Sequence, residues 1–395
     1  MHLITTTQEL SDFCQRLSRN DFVTVDTEFI REQTFWPKLC LIQLAGPGEE
    51  AIVDPLKAGI ELAPFYGLMA NERVVKVFHA ARQDVEIVYS RAGVIPAPLF
   101  DTQVAAMVCG FGDQASYEVL ARKLARTQID KTSRFTDWSR RPLSQKQLAY
   151  ALCDVTHLRT IYRRLKAELD ASGREGWLEE EMAQLSHAGN YRTEPADAWK
   201  RLKFKPRNRK QLAILISVAA WREREAQARN IPRNRVIKDD AIIEIAMQAP
   251  ASIEALRELR ALPRGYASSR LGEGLLIAIR EGLATDQARL PPIADEQRPL
   301  PEGTAVIADI LKLALKVVCD AHGIAPRLVA SSADIEAIAA GEDRDVPAMK
   351  GWRRKLFGET ALEIRAGRSA IGLKNGRSAI FPVTGEQSKR SAAAE

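Results

Sequence analysis

The sequence has no apolar run long enough to cross a membrane as a helix. Such a span needs roughly 18 consecutive apolar residues, and the longest strongly apolar stretch, Leu212 to Trp221, stops well short. The opening residues MHLITTTQEL hold neither a basic patch nor an apolar core. No secretory signal is therefore expected, and a cytoplasmic location is. Cysteine is scarce: Cys14, Cys40, Cys109, Cys153 and Cys319 are scattered, odd in number and never at CxxC spacing. A disulfide framework and a zinc ribbon are both poorly supported. His79 comes with no HExxH pair and no His/Cys cluster, so zinc chemistry is not indicated. A large excess of one charge is also missing. The 57 basic and 51 acidic residues leave a net charge of +6, only a hint of a polyanionic partner. What is present is ordinary globular composition, with 46% hydrophobic and 27% charged residues over 395 positions. That length suggests two to three domains.

The first third reads as α/β. Phe22 to Val25, Leu39 to Leu44, Ala51 to Asp54 and Arg73 to His79 are short apolar runs separated by turn residues. Asp84 to Ala92 then has helical spacing. A strand meander followed by strand–helix alternation predicts a mixed sheet. Ser144 to Leu169 reads as one long helix, with Ser144 as N-cap and Gln147 completing a capping box. Lys200 to Lys210 carries seven basic residues and no acidic one, with Phe204 interleaved, which suits either a solvated linker or a phosphate track. Beyond about residue 207 the pattern is helical. Gln227 to Ala246 and Asp320 to Ala339 look alike, at a spacing of roughly 85 to 95 residues, which suggests a duplicated helical unit.

Three places carry carboxylates in a chemically suggestive context. Asp26 and Glu28 are two apart at the end of an apolar strand, so alternation points both to one face. Paired carboxylates repel unless a cation sits between them, and oxygen-rich sites favour Mg²⁺ or Mn²⁺. Asp84 sits where a strand gives way to a helix, a common ligand position in α/β sheets, although a helix cap accounts for it equally well. Tyr150 and Asp154 are four apart within a helix and share a face.

In that order, with Phe35-Trp36-Pro37, Leu41 to Leu44 and Asp130 to Ser144 between them, these motifs resemble the ribonuclease D family. It belongs to the DEDD superfamily of 3′–5′ exonucleases, in the subclass with tyrosine in the third motif. Leu212 to Leu283 is similar to the HRDC domain, and Ile307 to Gly367 looks like a more divergent copy. The resemblance implies an α/β nuclease domain, a ribonuclease H-like mixed sheet with helices, followed by two all-α HRDC-like domains. The expected boundaries are a nuclease at 1–170, a helical and basic linker at 171–206, and an HRDC domain at 207–286. A Pro-rich linker at 287–303, a second HRDC-like domain at 304–382 and a disordered tail at 383–395 complete the chain.

The resemblance further implies two-metal-ion hydrolysis of RNA from the 3′ end, releasing 5′-mononucleotides, in 3′ processing of precursor tRNA. Asp26, Glu28, Asp84 and Asp154 would hold two Mg²⁺ or Mn²⁺ ions, and Tyr150 would orient the attacking water. Phe29, Lys131, Arg134, Arg140, Arg141, Lys203 and Lys205 are the candidate RNA contacts. No obligate protein partner and no membrane are expected. A DNA 3′–5′ exonuclease is the alternative, and a noncatalytic nucleic-acid-binding scaffold a weaker one.

Overall fold

The structure, a computed structural model, describes residues 2–130, 136–192, 194–293, 301–343 and 345–383. The N-terminal part is built on a six-stranded sheet. In chain order its elements are β1 (Leu3–Ile4), α1 (Thr7–Leu17), β2 (Phe22–Ile30), β3 (Lys38–Ala45), β4 (Glu50–Val53) and α2 (Ala63–Ala70). Then come β5 (Val75–Phe78), α3 (Arg82–Ala92), β6 (Leu99–Asp101), α4 (Thr102–Val108) and α5 (Tyr117–Leu120). Three helices follow, α6 (Gln145–Thr156), α7 (Leu158–Ser172) and α8 (Glu175–Leu185).

The strand order is β1-β4-β3-β2-β5-β6. β2, β3 and β4 pair antiparallel, while β1 joins β4, β5 joins β2 and β6 joins β5 in parallel. The mixed sheet expected from the meander is therefore present. β2 runs on to Ile30 rather than stopping at the acidic pair, so Asp26 and Glu28 lie inside a central strand.

The long helix expected over 144–169 is two helices that meet at His157. Each half has a different partner. α6 buries Leu148, Ala151 and Val155 against β2, β3 and β4, and α7 buries Leu158, Ile161, Leu165 and Leu169 against α4 and β5. The start is as expected. Ser144 Oγ accepts from Gln147 N at 3.2 Å, and Gln147 Oε1 accepts from Ser144 N at 2.9 Å. Such a cap is worth about 1 kcal/mol.

Beyond the sheet domain, two units repeat one plan. The first has α9 (Arg209–Arg229), α10 (Arg233–Val236), α11 (Asp239–Gln248), α12 (Ile253–Arg257) and α13 (Arg270–Ala284). The second has α14 (Thr304–His322), α15 (Pro326–Val329), α16 (Ser332–Ala340), α17 (Gly351–Arg353) and α18 (Glu359–Arg365). In both, a long helix is followed by a four-residue helix and then one of nine or ten residues.

The second unit is not all-α. It ends in an antiparallel hairpin, β7 (Ser369–Lys374) and β8 (Arg377–Pro382). The turn is Asn375-Gly376, with φ of 53° and 75°. Two positive φ values at an Asn-Gly pair are what a tight hairpin turn requires. That dipeptide was the available signal.

The two units attach differently. The second shares one continuous hydrophobic cluster with the sheet domain, in which Ala308, Leu311, Val318, Trp352 and Phe357 join Met107, Leu178 and Met182. Trp177 stacks on Trp352 with centroids 4.4 Å apart, and Ala325 N–H bonds the Met107 carbonyl at 3.0 Å. The first unit has its own core, which takes in Phe35 from the loop after β2. Of the expected linker at 287–303, residues 294–300 lie outside the described residues, as do 384–395 of the expected tail.

Gly110 sets the closest approach in the second seam. It has φ of +78°, and a Cβ there would collide with the Gly323 carbonyl. Gly110→Ala should therefore loosen the seat of residues 304–383 by roughly 1–3 kcal/mol. Limited proteolysis should release that unit earlier than in the wild type while the N-terminal domain stays folded. An unchanged cleavage rate would refute the reading.

Candidate active site

Asp26, Glu28 and Asp154 meet on the sheet. One carboxylate oxygen of each lies within 4.8 Å of the other two. β2 presents the first two on one face, and α6 lies across β2, β3 and β4. The buried face of α6 is Leu148, Ala151 and Val155, so Tyr150 and Asp154 fall together on its flank. Two hydroxyls fix the helix beside Asp154. Thr24 Oγ1 donates to the Val155 carbonyl and Tyr117 Oη to the Cys153 carbonyl, each at 2.8 Å. Tyr150 stacks against the buried Trp138, centroids 6.2 Å apart.

Asp84 enters from the first turn of α3. It is buried, and the Thr27 hydroxyl donates to its Oδ1. It is not the helix cap, because the residue at the cap position is Ala81, with no side-chain bond. The turn before α3 is held instead by buried Asp101. That carboxylate accepts from the backbone N–H groups of Ala80 and Ala81 at 2.9 Å each and of Gln103 at 2.8 Å. Ala80 there has φ of 58°, a left-handed conformation that an alanine adopts only when its surroundings hold it. Asp101 was not singled out from sequence, and Leu99-Phe100-Asp101 is too short to show as a strand pattern.

The carboxylates share a cavity of about 660 Å³. Its lining includes Asp26, Glu28, Phe29, Asp84, Tyr150 and Asp154, so all five expected catalytic residues and Phe29 face one space. His79, Gln83, Gln103, Tyr117 and Glu118 line it too, and sequence reasoning had assigned them no role there. Thr102 Oγ1 donates to the Phe78 carbonyl at 3.0 Å, so at 3.0 Å from His79 Nδ1 it accepts. Burial pushes His79 down to about 4, which keeps it neutral near pH 7.

Crowding and burial act on the acids in the same direction. Asp26 is pushed well above the carboxylate range by burial and by the charge of Asp154. Glu28 is pushed up to about 9 by burial and by Asp26, Asp154 and Asp84. Asp84 is raised by burial and by Asp26, despite the opposing bond from Thr27. Such a set is stable in its charged form only beside cations. The donors are all carboxylate oxygens, which fits hard divalent ions of the Mg²⁺ and Mn²⁺ kind and not zinc.

The expected RNA contacts fare unevenly. Arg140 is exposed, with its Nε 3.2 Å from Asp137. Lys203 and Lys205 are exposed, but Phe204 between them packs on the core of the first helical unit. Lys131 and Arg134 lie outside the described residues.

Arg141 has a structural place instead. Its Nε and Nη2 bond the two oxygens of Asp54 at 2.7 Å each. Nη1 donates to the Trp138 and Arg140 carbonyls, and Nη2 to the Cys40 carbonyl. Those bonds use all five donors of a guanidinium. Arg141 therefore braces the approach to α6 and has nothing left for a phosphate, because the sheet brings residue 54 beside residue 141.

Residues 1–170 match the 3′–5′ exonuclease family, and residues 211–279 match the HRDC domain. The chain is 50% identical to Ribonuclease D of Nitrobacter hamburgensis over 377 residues, which cover 95% of this chain and 98% of that one. It is 47% identical to Ribonuclease D of Bartonella henselae over 378 residues, 95% and 93% of the two chains. Among solved structures, Escherichia coli RNase D, described as an exoribonuclease involved in structured RNA processing, superposes with a TM-score of 0.79. The identity is 26%, with 93% of this chain and 98% of that one covered. No helix among the described residues is long and apolar enough to cross a membrane. With its metal-suited acidic cluster, this chain belongs to the ribonuclease D family of 3′–5′ exoribonucleases.

Proposed function

We propose that Asp26, Glu28, Asp84 and Asp154 hold two divalent cations, Mg²⁺ or Mn²⁺, beside the last phosphodiester of an RNA 3′ end. The observation that carries this reading is the meeting of Asp26, Glu28 and Asp154 within 4.8 Å in the cavity that Asp84 and Tyr150 also line. Ions in such a site lower the pKa of water and stabilise charge on the leaving oxygen. The protein's own groups do the rest. Tyr150, held by Trp138, orients the attacking water. Phe29, half-buried at the cavity wall, offers a face on which the terminal base stacks. The products are 5′-mononucleotides.

The substrate we propose is the 3′ end of precursor tRNA, in line with the structured-RNA processing attributed to the Escherichia coli relative. Exposed Arg140, Lys203 and Lys205 would add electrostatic attraction along the RNA. We read residues 304–382 as a divergent second HRDC-like unit, supported by the repeated long, four-residue and medium helix order.

Asp26→Ala or Asp154→Ala should abolish Mg²⁺- or Mn²⁺-dependent release of mononucleotides from a tRNA with extra 3′ residues. Tyr150→Phe should lose on the order of 10²-fold in rate. Full activity in either aspartate variant would sink the assignment.

A second expectation concerns stability. Asp154→Asn removes repulsion felt by Asp26 and Glu28, so without metal its melting temperature should exceed that of the wild type by about 2–4 °C. Added Mn²⁺ should stabilise the wild type and leave the variant nearly unmoved. Calorimetry with and without Mn²⁺ checks both, and an equal metal response in the two proteins would contradict the ligand role of Asp154.

A further inference from the structure

A second polar cavity, of about 320 Å³, lies where the loop after β2 meets the first helical unit. Arg31, Arg201, Arg222 and Arg233 line it, with Glu86 and Asp239. The surrounding seam is ordered by specific contacts. Trp36 N–H bonds Asn230 Oδ1 at 3.0 Å, and the Arg233 guanidinium sits 4.4 Å over the Phe35 ring.

The charges there do not cancel. Arg233 makes a two-pronged pair with fully buried Glu223 at 2.6 Å, and Arg201 touches the same carboxylate at 3.2 Å. Arg222 pairs with Asp239 at 2.6 Å, and Arg31 with Glu86 at 2.7 Å. Four guanidiniums thus face three carboxylates. One positive charge is left over, the charge that a single phosphodiester would balance.

Two donors are also left over. Arg222 is 3% exposed, yet its Nε has no hydrogen-bond partner among the described residues. Arg31 Nε is buried and unpartnered in the same way. Buried guanidinium donors are rarely left unmade, and an oxygen-rich anion is the group that satisfies a planar fork best.

The cavity and the catalytic centre draw residues from the same two stretches of chain. Arg31 follows Glu28 by three residues on the β2 side, about 10 Å at strand rise. Glu86 follows Asp84 by two residues on α3. An RNA held by its last nucleotide at the acids would carry an upstream phosphate within reach of this cleft.

We propose that the arginine cleft between the nuclease and its first helical unit binds an internal backbone phosphate of the RNA. This rests on the exoribonuclease site proposed above and adds a subsite to it. The helical unit then contributes Arg222 and Arg233 directly to substrate binding, and the segment before α9 contributes Arg201. A substrate too short to reach the cleft gains nothing from it.

The test uses the full-length protein with Arg31→Gln and Arg201→Gln, singly and together. Arg201 has a half-exposed side chain, 52%, so its removal leaves the core intact. Hydrolysis of a ten-nucleotide RNA and of a dinucleotide is compared, and binding of the labelled ten-mer is followed by fluorescence anisotropy whether or not it is cut. The double variant should raise KM and Kd for the ten-mer about tenfold, with kcat unchanged, and leave the dinucleotide unaffected. The salt dependence of ten-mer binding should flatten by about 0.7 in log–log slope, one phosphate's worth for a single strand.

Equal losses on both substrates, or no loss on either, would overturn the proposal. So would a variant that loses only inhibition by inorganic phosphate, which would assign the cleft to a free anion. A wild type that binds the ten-mer with arginine dependence but cuts neither RNA would instead count against the catalytic reading alone.

Discussion

Mutual repulsion among closely spaced, largely desolvated carboxylates is the constraint on which this structure depends. Asp26, Glu28 and Asp84 are each pushed toward their neutral forms by burial and by one another, and Asp154 adds to the pressure on the first two. Strand alternation alone sets Asp26 beside Glu28, and other bonds bring Asp84 and Asp154 to them against that repulsion. Thr27 ties Asp84 to β2, Asp101 fixes the turn that launches α3, and Thr24 and Tyr117 pin the backbone on either side of Asp154. These bonds fix the positions of the acids, and a fixed donor set is the condition for binding hard ions with little reorganisation.

The helical units serve that site in different ways. The second shares the nuclease core, through Trp352 stacked on Trp177 and Arg353 bonded to Glu180 and Glu181. It covers the α4–α8 side of the nuclease, so a chain cut at residue 200 would uncover an apolar surface. The first unit keeps a separate core and meets the nuclease through a polar, arginine-rich seam. Phe35 and Trp36, near the acidic strand in sequence, belong to that seam.

Much of the candidate site was legible because each motif lies within a single element. Strand alternation aligned Asp26 with Glu28, helical spacing aligned Tyr150 with Asp154, and the Ser144–Gln147 box marked the start of α6. The mixed sheet followed from apolar runs and turn residues. Elements with weak local signals were missed. β1 has two residues and β6 three, and the hairpin after residue 368 has little apolar alternation beyond its Asn-Gly turn. The break at His157 was invisible because an unbroken apolar stripe continues through it while its packing partners change.

Residue types and short spacings by themselves marked the candidate acids and the repeated helical order, since each needs only local geometry, and the resemblance of the motifs taken together pointed to the family. Tertiary structure alone decided the fate of individual charges. Arg141, read as a phosphate contact, is consumed by Asp54 from a distant strand. Lys76, in an otherwise apolar strand, is fully buried, and its ammonium donates to the carbonyls of Asn71, Val74 and Ala97. Arg222 is buried at a domain seam with a donor to spare. A charged side chain is solvated, paired or held for a ligand according to which oxygens the fold brings within about 3 Å of it, and those oxygens come from residues far away in the sequence.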